Sequence, residues 1–229
     1  MYCKGMMRNA LMVSILLAYA GFARAERPMA VDDAGTLDRG GAKVEFGWAK
    51  DGKVRGFEGA VGYAPIDDLE LEFDFGRARD HEPAHTETIR ALGAVVKWVP
   101  LKSDVGLSAG LKYEYINERV LGDASAHGQA LTGLFTWSFE AGPLLHVNLG
   151  REWVDADDDG DAANVWGVGL DVPLTEQLHV TVETFGAQHA RPDRQIGLRY
   201  EIAEGLKISG AVGRGNDRNI ANVGVAWEF

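Results

Sequence analysis

The chain has 229 residues, 46% of them hydrophobic and 25% charged, with a formal net charge of −11. That hydrophobic content excludes a disordered chain, and the acidic balance disfavours a nucleic-acid partner, because phosphate demands a basic footprint. Beyond the first thirty residues no apolar run reaches the roughly 18 residues that a membrane-spanning helix needs.

Residues 1–25, "MYCKGMMRNALMVSILLAYAGFARA", follow the three-part plan of a secretory signal peptide. Lys4 and Arg8 precede an apolar stretch from Ala10 to Phe22, and Ala23-Arg24-Ala25 makes an A-x-A cleavage pattern. The plan predicts a mature chain that starts at Glu26. The leader holds three bases and no acid, so its removal takes the net charge from −11 to −14. It also holds the single cysteine, Cys3, so the mature chain has neither a disulfide nor a thiol ligand.

A repeating theme begins only at Ala42. This sets residues 26–41 apart as a periplasmic N-terminal segment and a candidate plug. From Ala42 onward, segments of about ten residues alternate apolar with small or polar side chains, the period-2 signal of strands with two unlike faces. Twelve strands are predicted: 42–50, 54–64, 69–79, 87–99, 105–116, 127–139, 144–154, 163–172, 178–187, 195–202, 206–213 and 219–229. Ten is the alternative count. No sustained helical period follows the leader.

The connections alternate between two classes. Short ones carry Pro or Gly, such as "APIDD" (64–68), "EAGP" (140–143) and "AEG" (203–205). The others are polar and mostly longer, such as "RDHEPAHTE" (79–87), "NERVLGDASA" (117–126) and "DADDDGDA" (155–162). Short turns at one end and longer loops at the other are the mark of an up-and-down transmembrane barrel. Residues 42–229 therefore read as one all-β domain, a closed antiparallel up-and-down transmembrane β-barrel. Both termini fall on the short-turn side.

One face of the strands carries Phe46, Phe57, Phe73, Leu92, Leu111, Leu149, Val168, Leu198 and Trp227. The other carries Glu45, Glu58, Glu70, Glu72, Asp74, Lys97, Lys112, Glu114, Glu152, Glu183, Arg199 and Glu201, with many glycines. A soluble sandwich or lipocalin-like barrel would turn the first face inward. Three features favour apolar-out instead. The strand length suits a tilted crossing. Trp and Tyr gather at strand ends. The chain also closes on "NVGVAWEF", an alternating strand that ends at Phe229, as bacterial outer-membrane barrels do. The charged set is then lumen-lining, with acids in excess, which favours cations if the lumen is open. The alternative is that Lys97, Lys112, Arg199 and Lys207 pair with those acids and close it.

The stretch from Arg27 to Trp48, "RPMAVDDAGTLDRGGAKVEFGW", resembles the start of a broad group of Gram-negative outer-membrane barrels. Many of these are described as transporters or are related to the MetA-pathway phenol-degradation family. Arg27, Pro28, Asp32, Asp33, Ala34 and Gly40 carry the resemblance, together with turns of the form P-[LI]-x-[DE]. It implies an outer-membrane barrel with a role in small-molecule passage and names no substrate.

Other constellations compete with ordinary loop chemistry. Asp155, Asp157 and Asp159 with Gly160 match the opening of a calcium loop, but its twelfth position is Trp166 and no helix flanks it. A weak divalent-ion site linked to lipopolysaccharide bridging competes there with a solvated acidic loop. His81, His85 and His189 sit on predicted outer loops. Ser108, Ser125, Ser138 and Ser209 with His127, His146 and His179 supply the residue types of a hydrolase without an esterase motif. The expected protein is not an enzyme and needs no cofactor. Its expected partners are outer-membrane lipid and lipopolysaccharide, small solutes, and the barrel-assembly machinery through the Phe229 strand. Passage of small solutes through a cation-leaning lumen competes with a closed structural or adhesive surface barrel and, behind both, a lipid-modifying enzyme.

Overall fold

The computed structural model describes residues 27–83, 85–120, 125–156, 159–215 and 217–229. The expected signal peptide, residues 1–25, lies outside the described residues. The strands are β1 (Ala42–Asp51), β2 (Val54–Ile66), β3 (Leu69–Asp80), β4 (Glu87–Leu101), β5 (Gly106–Val120) and β6 (Ser125–Ser138). They continue as β7 (Leu144–Ala156), β8 (Asp159–Pro173), β9 (Leu178–Ala187), β10 (Asp193–Ala203), β11 (Leu206–Gly215) and β12 (Arg218–Glu228). Each pairs antiparallel with its neighbours in sequence, and β1 pairs with β12 to close the barrel. The seam holds nine residue pairs, from Lys43↔Glu228 to Asp51↔Ile220. Beyond it, Ala42 and Phe229 exchange N–H···O bonds of 2.8 and 2.9 Å. The final aromatic residue therefore completes the ring, and closure leaves no open sheet edge.

Phe73 is 52% exposed and its neighbour Asp74 only 3%. The same alternation recurs around the barrel, with Phe46, Phe57, Leu149, Leu198 and Trp227 outside and Glu45, Glu58, Glu70, Lys112 and Glu183 buried. The apolar-in alternative is thereby overturned. Among the described residues, two small apolar clusters take the place of a large core. One is Met29 and Val31 against Phe185, and the other is Ala34, Val99 and Leu134. In each, the residues before β1 supply one side.

Several strands run past their expected ends. β5 continues to Val120 and β6 begins at Ser125, so the loop expected at 117–126 shrinks. β7 and β8 likewise take in most of 155–162. Arg119 pairs with Ser125, and Ala156 with Asp159. Above the apolar band both faces of a strand meet polar surroundings. The hydrophobic alternation stops there while the backbone ladder continues, so the pattern underestimates strand length.

The β10–β11 turn depends on Gly205. Its φ is +70°, and a Cβ there would collide with the Glu228 carbonyl oxygen. That carbonyl belongs to the last residue of β12, beside the seam. Gly205→Ala is expected to lower barrel stability by about 1–2 kcal/mol, the cost of holding an L-residue in the left-handed region, read from urea unfolding in lipid vesicles.

Candidate functional site

The lumen contains part of the chain itself. Residues 27–41 lead into β1 from the terminus end, where Gly40 donates to the Ala64 carbonyl at 2.7 Å. Further back in sequence, the segment passes around the inner wall. Leu37 N–H donates to Glu70 Oε2 at 3.1 Å on β3, and Ala34 N–H to Thr136 Oγ1 at 2.7 Å on β6. Asp32 exchanges two bonds with Asn148 on β7: its N–H donates at 2.7 Å and its carbonyl accepts at 2.8 Å. Glu183 on β9 accepts from the N–H groups of Ala30 and Val31. The Pro28 carbonyl accepts from Gln195 on β10 and Asn222 on β12, each at 3.1 Å. The Arg27 guanidinium reaches Glu58 on β2 and lies 3.6 Å from Glu45 on β1.

Glycines make room for this path. A Cβ on Gly47 would lie 2.6 Å from Arg27 Nη1, one on Gly197 2.6 Å from Pro28 Cγ, and one on Gly167 2.7 Å from Val31 Cγ2. A segment with few apolar residues thus lies close to the wall. Its unpaired backbone groups are satisfied by wall side chains, as burial requires.

Ion pairs reinforce the docking. Lys97 Nζ lies 2.9 Å from Asp32 and 2.6 Å from Asp33. Lys112 Nζ lies 3.0 Å from Asp32 and 3.2 Å from Glu114. Asp32 therefore sits between two ammonium groups while its backbone is held by Asn148. Burial pushes the Asp33 carboxyl up, but Lys97 outweighs it and holds the group well below the usual carboxylate range. A carboxylate lowered in this way keeps its contact through neutral and mildly acid pH and loses it only below the ordinary carboxylate value. Lys43 bridges Glu70 and Glu72, both at 2.7 Å, and Arg199 pairs with Asp171.

Of the twelve residues read from the sequence as lumen-lining, Glu45, Glu58, Glu70, Asp74, Lys97, Lys112, Glu114 and Glu183 are buried, while Glu72, Glu152, Arg199 and Glu201 are half-buried. Sequence reading passed over Lys43 and took His146 only as one of the histidines that a hydrolase could use. Lys43 shares the parity of Glu45, so its side was readable. His146 Nδ1 lies 2.9 Å from Thr136 Oγ1, the hydroxyl that receives Ala34 N–H, a link that no local pattern signals. Glu118 is also buried, on β5, and its Oε1 has no hydrogen-bond partner among the described residues. A cavity of about 490 Å³ opens at the terminus end, lined among others by Asp33, Leu37, Lys43, Glu70, Lys97 and Lys207.

The other candidates do not assemble. Asp155 and Asp159 lie on opposite strands of the β7–β8 hairpin, and Asp157 lies outside the described residues. Among the described residues, no group of three or more His, Asp or Glu side chains is placed to hold a metal ion. His127 lies on the outer face, with its Nδ1 2.7 Å from Asn117 Nδ2. His179 Nδ1 lies 2.7 Å from Asp171, and Ser108 bonds to Ser103. His81 contacts Arg55 and Thr86, and His189 contacts Gln188.

A charged lumen, an apolar exterior and an inner N-terminal segment define the molecule to be compared. The family described as uncharacterised conserved protein UCP029691 matches residues 13–228. The chain belongs to this family. No curated protein matches it. Among solved structures, the COG4313 outer membrane channel from Pseudomonas putida F1 aligns with a TM-score of 0.63 at 12% identity, over 86% of this chain and 98% of that one. The KdgM porin in complex with disordered oligogalacturonate aligns at 0.62 and 10%, over 82% and 99%. The translocator domain of autotransporter NalP from Neisseria meningitidis aligns at 0.59 and 13%, over 100% and 98%. At these identities the likeness is one of fold: a closed barrel of the kind found in outer-membrane channels and translocators.

Proposed function

We propose that the protein is an outer-membrane barrel for the passage of small neutral or cationic solutes, and that residues 27–39 act as a plug narrowing its lumen. The observation that carries this reading is the inversion of polarity. Exposed large apolar side chains on every strand suit hydrocarbon, whereas the interior is lined by carboxylates, lysines and amides that suit water and solutes. The N-terminal segment is held there by hydrogen bonds and ion pairs, which can be exchanged for water. A large apolar core could not be exchanged in that way. The resemblance of Arg27–Trp48 to transporter and phenol-degradation barrels adds to the reading.

Selectivity follows from the balance of acids and bases on the inner wall. Lys43, Lys97 and Lys112 are engaged by acids in the lower lumen. Glu118 and Glu152, towards the other end, have no ion-pair partner among the described residues. A solute path on which acids outnumber bases prefers cations. An acidic sugar such as the oligogalacturonate found with the KdgM porin would be disfavoured here.

The test is planar-bilayer conductance of the refolded mature chain beside a variant lacking residues 27–39. The wild type is expected to give small cation-selective steps and the deletion variant steps several-fold larger. If both insert as folded barrels and stay silent, the closed-lumen surface barrel is the correct reading.

A further inference from the structure

The outward face carries a feature that passage does not use. Arg77 pairs in register with Arg90, and Arg90 with Arg119, so three arginines lie side by side across β3, β4 and β5. Next to this row, Lys50 pairs with Arg55, and Arg55 with Arg79, across β1, β2 and β3. All five arginines are exposed. Neighbouring strands are about 4.8 Å apart, so each row brings its cations within roughly 10 Å.

Like charges directly opposite one another on a sheet are destabilising. Among the described residues no carboxylate pairs with Arg77, Arg79, Arg90 or Arg119, and Arg55 contacts the neutral-capable ring of His81. The acids of the same strands, Asp74, Asp80 and Glu118, alternate to the buried face. In a chain of net charge −11, this separation leaves a basic patch on the outside that no carboxylate among the described residues neutralises.

Its height is specific. On β3 the outward residues run Leu71, Phe73, Phe75 and then Arg77, and on the antiparallel β4 Arg90 lies beyond Leu92 towards the same end. The arginines therefore begin where the apolar band stops, at the end away from Ala42 and Phe229. In an outer-membrane barrel, that end is the outer one.

We propose that Arg77, Arg90 and Arg119, supported by Arg55, Arg79 and Lys50, bind the phosphate groups of a phosphorylated glycolipid in the outer leaflet. The occupant follows from charge and position: an anion fixed at the hydrocarbon boundary and matched to the bidentate fork of arginine. The proposal rests on the membrane reading above. It makes the β1–β5 wall a preferred docking side for the surrounding lipid.

The experiment uses the refolded mature chain in detergent micelles, titrated with bisphosphorylated lipid A and with its dephosphorylated form, and followed by native mass spectrometry. The triple variant R77Q/R90Q/R119Q is expected to bind the bisphosphorylated lipid at least tenfold more weakly than wild type. A variant losing the same charge on the far wall, R151Q/R194Q/R214Q, is expected to stay within about twofold. Wild type is expected to bind the dephosphorylated lipid as weakly as the first variant binds the phosphorylated one. Equal binding by the two triple variants, or no effect of removing the phosphates, overturns the patch. Heat-modifiable gel mobility reports folding separately. A wild type that never forms a compact barrel in micelles overturns the membrane reading as well, whereas a folded wild type that ignores the lipid overturns only the patch.

Discussion

Replacing Asp32 by alanine is expected to release the N-terminal segment from the lumen wall. The carboxylate lies 2.9 Å from Lys97 and 3.0 Å from Lys112, and both lysines are buried. Removing the shared anion leaves two ammonium groups close together with only Asp33 and Glu114 to balance them. Breaking a buried ion pair from one side typically costs about 3–5 kcal/mol. The two bonds to Asn148 use the backbone of Asp32, so the substitution removes the charge contacts and spares the amide ones. The single cysteine of the chain is Cys3, which would leave with the leader, so Ala34→Cys supplies a unique reporter. Ala34 is buried, and its labelling by a maleimide in the folded barrel is expected to be slow. Adding Asp32→Ala is expected to speed it by at least about a hundredfold, since roughly 1.4 kcal/mol corresponds to a factor of ten. An unchanged labelling rate would mean that the ion pairs do not hold the segment.

Phe73→Arg is expected to destabilise the barrel by about 2–4 kcal/mol, the cost of a cation near the bilayer midplane on a lipid-facing position. Phe73 lies midway along the outward face of β3, and its cross-strand neighbours Val61 and Ala94 share that face. Phe73→Leu keeps the position apolar and is expected to cost less than about 1.5 kcal/mol. Urea unfolding in lipid vesicles separates the two. If arginine at position 73 were tolerated as well as leucine, the exposed aromatic face would not meet hydrocarbon.

The strands were legible because each carries its own signal. Val44, Phe46 and Trp48 against Glu45 and Gly47 state both period and face within five residues, and the turn residues mark the register changes. The outer ends were less legible because the signal is a contrast between two environments. From Asn117 to Val120 both faces leave the apolar band, so the contrast fades while the ladder persists. The lumen list was readable by parity, and Lys43 was missed although its parity matched. The segment before β1 could be set apart as a candidate plug, but its attachments could not be read. Asp32 meets residues 65 and 116 positions away, and contacts of that reach leave no periodic trace. The arginine rows were hidden for a related reason. Arg77, Arg90 and Arg119 are far apart in sequence, and only the register of three strands aligns them.

The path of the N-terminal segment has a mechanical consequence. An empty twelve-stranded ring flattens easily, because its backbone bonds run around the wall and none crosses the interior. Residues 27–37 are tied to β1, β2, β3, β6, β7, β9, β10 and β12 in turn. Squeezing the cylinder along one diameter must lengthen the other, and that stretches a tie anchored on the receding wall. The segment is thereby an internal brace that resists flattening of the cross-section.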